Sequence, residues 1–262
     1  MSKSAKSLKE ALKAPLEVTE LNLDNKKWTA LKEDLRKCKN VEILYLQENK
    51  LEEVTSWIGE LVHLRELYLG GNQLETLPDE IGNLVNLRIL TLGGNPLKSL
   101  PESIGKCKAL EILKCADTQL EKVPDSIGNL TNLKELDLFR APLTTLPESL
   151  GNLKKLTSLS VSQSNLESFP KQVCDLESLD YLAICSDNIQ EIPPEISRLG
   201  NLTRLVLSGC PISSFPESMQ QMDKLQELSL YDTKVPVEAA EKLYNSMPNI
   251  YMVEHPDRMF RK

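Results

Sequence analysis

Residues 64–86 read LRELYLGGNQLETLPDEIGNLVN, and residues 87–109 then read LRILTLGGNPLKSLPESIGKCKA. Leu64, Leu67, Leu69, Asn72, Leu74, Leu77, Pro78, Ile81, Gly82 and Leu84 recur 23 positions later as Leu87, Leu90, Leu92, Asn95, Leu97, Leu100, Pro101, Ile104, Gly105 and Cys107. A fixed period of this size describes a stack of like supersecondary units. Outward from the quoted stretch, units begin at Val18, Val41, Leu64, Leu87, Leu110, Leu133, Leu156, Leu179, Leu202 and Leu225, so nine units are complete.

Within a unit, LxxLxLxxN alternates with its leucines on one side, the pattern of a short strand with one buried face. Equivalent strands must then lie side by side and parallel. The remainder, NxLxxLPxxIGxLxx, returns the chain in too few residues for a long helix and with proline at its middle, so short 3₁₀ or single-turn helices are expected. Burying each apolar side chain contributes about 1.5–3 kcal/mol, whereas ordering each backbone residue costs about 1–2 kcal/mol. One unit alone cannot fold, and 18–235 is expected to be one cooperative stack without an internal linker.

A stack exposes apolar edges at both ends, and these need covers. Residues 1–17 place Ala5, Leu8, Ala11, Leu12 and Leu16 at helical spacing among four lysines and are expected to form a capping helix. The alternative, a basic membrane-surface helix, has few large apolar residues for a lipid face. After Leu225 the period breaks. In 236–262, Pro236 suits the first turn of a helix and Pro248 follows its end. The expected cover is a short helix, a last strand at Ile250–Val253 and a loose tail, EHPDRMFRK.

The copies diverge at the ninth position. Asn49, Asn72 and Asn95 can satisfy turn backbone of adjacent coils with both amide hydrogens and the carbonyl. Downstream the position holds Thr118, Ala141, Ser164, Asp187, Cys210 and Thr233. Ala141 can replace none of those bonds, so stacking there is expected to be looser than around Asn72. The cysteines follow the same register. Cys38 and Cys107 take an apolar return position, Cys115 an inward strand position, Cys210 the ladder position and Cys174 the place of the return glycine, while Cys185 is expected to project from the sheet. With no CxxC pair or terminal cysteine cluster, they read as structural thiols of a reducing compartment.

A net charge of -7 argues against nucleic acid, whose affinity comes from clustered cations. No apolar run approaches the ~20 residues of a membrane span, and 1–17 lacks the apolar core of a secretory signal. The expected location is the cytoplasm, with a secreted or surface location open if a signal was removed. His63 and His255 lie far from each other and from any thiol pair, so no metal site is expected. No GxGxxG or phosphate-loop pattern occurs, and no cofactor is expected. A Cys185 nucleophile would lack a histidine base. Asp137 beside Lys114 or Arg140 reads as a solvated ion pair. No catalytic residue is assigned.

The third, fifth, seventh and eighth positions of the unit should project from the exposed side of the sheet. They collect Ile43, Tyr45, Tyr68, Ile89, Thr91 and Ile112 beside Gly70, Gly71, Gly93 and Gly94. Farther along they present Lys114, Asp117, Asp137, Phe139, Arg140 and Tyr181. Ile43 to Ile112 would span about 15 Å of continuous apolar surface. Such a cluster reads either as a binding surface or as cross-strand stabilisation of a sheet face.

The repeat LxxLxLxxNxLxxLPxxIGxLxx, carried by 64–86 and 133–155, resembles the Ras-group type of intracellular leucine-rich-repeat proteins and related bacterial proteins. The resemblance implies an α/β solenoid, a horseshoe with a concave parallel β-sheet and short 3₁₀ or helical convex segments. It also implies a non-catalytic scaffold that binds a protein partner on the concave face or its rims. Bacterial effectors with similar arrays often carry a ubiquitin-ligase domain, which is not expected here, with no room for one after Lys262. The degraded ladder after Asn95 departs from the family pattern. Expected partner-binding residues are Ile43, Tyr45, Tyr68, Ile89, Thr91, Ile112, Phe139, Arg140 and Tyr181, with Arg140 orienting the partner. The alternative is a secreted or surface recognition protein that binds host protein or glycan. Self-association through a strand edge or the same patch is a third reading.

Overall fold

The structure is a computed structural model that describes residues 3–186 and 188–262. Asp187, expected in the ladder, and residues 1–2 of the expected cap lie outside the described residues. The chain separates into two compact units, one ending at Leu133 and one beginning at Lys134. In the first, β1 (Lys3–Ala5), β2 (Val18–Asn22), β3 (Ile43–Tyr45), β4 (Glu66–Tyr68), β5 (Ile89–Thr91) and β6 (Ile112–Lys114) pair in chain order, all parallel. In the second, β7 (Glu135–Asp137) through β8 (Ser158–Ser162), β9 (Tyr181–Cys185), β10 (Arg204–Val206), β11 (Glu227–Ser229) and β12 (Met252–Glu254) do the same. A last strand, β13 (Met259–Arg261), adds antiparallel to β12.

Each coil is built as its leucine spacing requires. In the coil from Leu64, the side chains of Leu64, Leu67, Leu69, Leu74, Ile81 and Leu84 are fully enclosed and Leu77 nearly so. Strand residues therefore alternate between core and open face. The return runs through a 3₁₀ turn, Asp79–Asn83, entered from Pro78 at φ -71°. The proline ring holds that extended entry, and the Ile81 and Leu84 amides then bond three residues back, at 3.0 and 3.1 Å. Coils approach most closely on this return side. A Cβ added to Gly82 would lie 2.5 Å from the Ser103 carbonyl oxygen of the next coil. In the second unit the same addition at Gly151 meets its nearest atom, the Gln172 carbonyl oxygen, at 3.3 Å.

The ladder works as its chemistry suggests. The Asn72 side-chain nitrogen donates to the Leu46 and Leu69 carbonyls, both at 2.9 Å, and its oxygen accepts the Leu51 amide at 3.0 Å. One buried amide thus joins two coils at three points. Thr118 keeps one such bond, to Cys115 O at 2.8 Å, and the Cys210 thiol bonds Ile184 O at 3.3 Å. Ala141 has only backbone to offer, its amide reaching Leu138 O at 3.1 Å. At the eighth position the chain turns through left-handed backbone, which Gly71 and Gly94 adopt freely. Glu48, Asp117, Arg140, Gln163 and Asp232 adopt it too, at φ between 53° and 57°.

The amino-terminal cover differs from the sequence expectation, while the carboxy-terminal cover has the expected helix and strand and differs in its tail. The amino-terminal segment is a strand first, because Ser4 and Ala5 continue the ladder of β2. Its helix, α1 (Leu8–Ala11), is a single turn capped by the Ser7 hydroxyl and buries only Ala11. At the other end α2 (Val237–Ser246) seats Ala240 and Leu243, and the tail is fixed. Phe260 on β13 is buried against Tyr244, with ring centroids 5.6 Å apart. The buried His255 donates Nε2–H to Val235 O at 2.8 Å and accepts the Asp257 amide on Nδ1 at 3.1 Å.

Two measurements check this account. Asn72→Ala should destabilise the protein by about 1–3 kcal/mol, since it strands the buried Leu51 amide and removes one of two donors from the Leu46 and Leu69 carbonyls, which Asn49 and Asn95 still reach, and should speed amide exchange at Leu51; in the wild type, amides around Ala141 should already exchange faster than those around Asn72. Gly82→Ala should cost about 1–3 kcal/mol in chemical denaturation through backbone overlap, and Gly151→Ala less than about 1 kcal/mol.

Candidate functional site

On the open face of the first unit, two side-chain rows run across the strands. The inner row is Glu20, Ile43, Glu66, Ile89 and Ile112, and the outer is Asn22, Tyr45, Tyr68, Thr91 and Lys114. Parallel pairing sets each residue directly beside its equivalent, so Tyr45 and Tyr68 meet as stacked rings, centroids 4.8 Å apart and planes 8° apart. The apolar row is not continuous as expected. Glu66 stands between Ile43 and Ile89, and its carboxylate accepts the Tyr68 hydroxyl at 2.7 Å. Burial chiefly, then the bond to Glu66, pushes the Tyr68 phenol far above its ordinary range. Burial also raises Tyr45, with further contributions from the charges of Glu20, Glu66 and Asp24.

A groove of about 380 Å³ follows the inner row. Ile43, Glu66, Ile89 and Ile112 form its floor, and the Glu42–Arg65 and Arg88–Glu111 pairs, at 3.4 and 2.6 Å, line its edge. Beside the tyrosines, Gly70, Gly71, Gly93 and Gly94 form a track with no side chains of its own, against which the Glu48 carboxylate lies at Gly71. Its amides are used between coils, as in Gly71 N–H to Gly93 O at 2.9 Å. A larger hollow of about 750 Å³ lies at the amino-terminal cap, lined by Lys3, Glu17, Asn40 and His63 among others, with Leu16 as its one aliphatic residue. The sheet groove differs in having three isoleucines and an aromatic neighbour.

In the second unit the expected residues form two separate clusters. Arg140 stands on left-handed backbone with its guanidinium 4.8 Å from the Phe139 ring and Nε donating to Gln163 at 2.7 Å. Asp137, considered above as an ion-pair partner, accepts the Phe139 amide at 3.1 Å and so fixes that turn. Tyr181 belongs elsewhere on the face. Arg204 lies 5.7 Å over its ring and pairs with Glu227 at 3.0 Å, and Glu227 also accepts the Tyr251 hydroxyl. Arg204, Glu227 and Glu66 were legible at the third position of their coils but not among the expected site residues.

Cys185 corrects an expectation of exposure. Strand β9 runs on to this residue, which pairs with Ser162 and is only 7% exposed, packed beside Gly209 and Cys210. A hydrogen bond with Cys210 draws its thiol below the ordinary range, against the opposing effect of burial. Burial raises Cys107 to about 11 and Cys174, with help from nearby carboxylates, to about 12. All six cysteines are buried and none forms a disulfide. Among the described residues no group of three or more His, Cys, Asp or Glu is placed to hold a metal ion, and no helix is long and apolar enough to cross a membrane.

A family model described as a leucine-rich repeat region matches residues 21–169 and 144–247. Among solved structures, the leucine-rich-repeat ectodomain of the plant membrane receptor kinase GASSHO1/SCHENGEN3 from Arabidopsis thaliana, in complex with CASPARIAN STRIP INTEGRITY FACTOR 2, is 26% identical with a TM-score of 0.73, over 91% of this chain and 32% of that one. The Arabidopsis receptor kinase HAESA, in complex with the peptide hormone IDA and the co-receptor SERK1, is 28% identical with a TM-score of 0.72, over 85% and 39%. The functional domain of InlJ from Listeria monocytogenes, which includes a cysteine ladder, is 19% identical with a TM-score of 0.68, over 92% and 54%, a likeness of fold. The chain thus spans between a third and about half of the length of these proteins. No curated protein matches the sequence.

The burial of the thiols is checked with Ellman's reagent. No cysteine of the native protein should react within minutes, and all six should react in denaturant; a rapidly labelled native thiol would contradict the packing described for Cys185.

Proposed function

We infer that this chain, which belongs to the leucine-rich-repeat family, is a non-catalytic recognition module that binds a protein partner on the open face of its sheet. The observation that carries the reading is the Tyr45–Tyr68 stack beside the groove floored by Ile43, Ile89 and Ile112. These side chains are half-buried and ordered by their strands before any partner arrives. Their immobilisation on binding therefore costs little, and aromatic anchors of this kind dominate protein interfaces. Thr91, small and next to Tyr68, leaves room beside the ring. In the second unit Phe139 with Arg140, and Tyr181 beneath Arg204, serve as further anchors.

That two of the similar ectodomains were solved with a peptide or protein partner supports a protein ligand. Six buried thiols outside any disulfide suit a reducing compartment, and the cytoplasm is the location we infer on that ground.

The test is quantitative capture from the native source with wild-type chain and with the Tyr68→Ala, Ile89→Ala double variant. Specific partners should fall at least tenfold with the double variant, while its far-ultraviolet circular dichroism and unfolding midpoint stay near wild type. Undiminished capture by the folded variant excludes this face.

A further inference from the structure

The charge distribution on the same face says what kind of segment it takes. At the third, fifth, seventh and eighth positions of the first unit's coils stand five carboxylates, Glu20, Asp24, Glu48, Glu66 and Asp117, against one ammonium, Lys114. The arginines of this unit's sheet, Arg65 and Arg88, lie at the groove edge and are paired with Glu42 and Glu111, so they neutralise the edge and leave the tyrosine side acidic. Glu20, Asp24 and Glu66 all act electrostatically on Tyr45. Two electron-rich rings thus sit in a field of negative charge.

Chemistry selects among occupants. An acidic or phosphorylated segment would meet repulsion from every side of the tyrosine stack, and an apolar helix would desolvate carboxylates without compensation. A guanidinium or ammonium gains from both features at once, lying over an aromatic face while pairing with a carboxylate beside it. Tyr68 offers such a face on its β5 side, where its strand neighbour is the shorter Thr91. Its hydroxyl bond to Glu66 holds ring and carboxylate in fixed relation at 2.7 Å. The glycine track next to the ring has no side chain of its own at four positions, and the Glu48 carboxylate lies against Gly71, so a backbone crossing the strands there would run beside an acidic group. At about 4.8 Å per strand, the track from Glu48 to Asp117 spans roughly 14 Å, the reach of about four extended residues.

We propose that the open face of the first unit binds a basic, extended polypeptide segment, with an arginine or lysine seated against the Tyr45–Tyr68 stack and Glu66 and the chain lying along Gly70, Gly71, Gly93 and Gly94. This rests on the sheet-face reading above and names the partner's chemistry. Arginine is the better anchor, because its plane stacks on the ring while its edge bonds the carboxylate.

The experiment uses the full chain and fluorescein-labelled decapeptides that share their apolar residues and differ only in charge, from strongly basic through neutral to strongly acidic. Anisotropy should show affinity rising with positive charge, by at least tenfold from neutral to basic, with arginine above lysine and a loss of affinity between 50 and 500 mM salt, the roughly tenfold step being the order of one partly desolvated cation–π contact. Tyr68→Ala and the Glu20→Gln, Glu66→Gln pair should each weaken the basic peptide by about tenfold, Tyr68→Phe by much less, and Glu217→Gln in the second unit not at all. Equal binding of basic and acidic peptides, no binding of either, or binding unaffected by the folded Tyr68 and Glu66 variants overturns the proposal. So does a concentration-dependent dimer abolished by Tyr68→Ala, which would make a second copy the occupant. Crosslinking of captured partners separates the two readings: a partner on this face through acidic or neutral segments defeats the basic-segment proposal alone, and a partner bound elsewhere defeats both.

Discussion

A coil of this protein cannot bury its own leucines. Leu67, Leu90 and Leu113 lie at the same place in successive coils, and each is enclosed only because the next closes over it. The strand ladder, the 3₁₀ return and the asparagine bonds all follow from holding those neighbours at one distance. Gly82 shows how small the tolerance is, for a single methylene there would enter the next coil's backbone. Where the spacing loosens, as at Gly151, the sequence also becomes freer, and Cys174 and Ser197 take the glycine's place in later coils. The constraint relaxes along the chain together with its letters.

Holding the coils rigidly has a functional side. Because pairing is parallel and in register, every residue on the open face has its counterparts from adjacent coils as lateral neighbours, and side chains accumulate into rows. Two tyrosines at the fifth position become a stack, and isoleucines at the third become a groove floor. Neither would exist on an isolated strand. The face is therefore written by columns, and one substitution changes the character of a row.

Those columns decide how much was legible beforehand. The period placed the strands, the returns and the buried leucines, since only one register puts Leu64, Leu67 and Leu69 inward together. Tyr45, Tyr68 and Ile89 were placed on one face by the same register. The carboxylates were equally readable, but attention to apolar letters passed over Glu66 in the middle of the row. Cys185 was misread because its exposure depends on how β9 ends against Gly209 and Cys210, a packing detail that spacing alone does not encode. The β13 pairing escaped because Met259–Arg261 has no periodic signal, and its place is fixed by contacts of Phe260 with Tyr244 and of His255 with Val235. Three residues in antiparallel register look like tail until a partner strand is present.

The left-handed eighth position has a meaning beyond geometry. Glycine would fit this turn without strain, yet Glu48, Asp117, Arg140, Gln163 and Asp232 occupy it at a cost of about 1 kcal/mol each. Every coil that uses one gives up stability to place a long polar side chain on the rim of the open face. Drift toward greater stability is thus always available at this rim, one glycine at a time, and each step would erase a polar side chain from the proposed recognition surface. Persistence of charged letters at the strained position would then record selection for recognition, in a part of the molecule where selection for folding alone would favour Gly71 and Gly94.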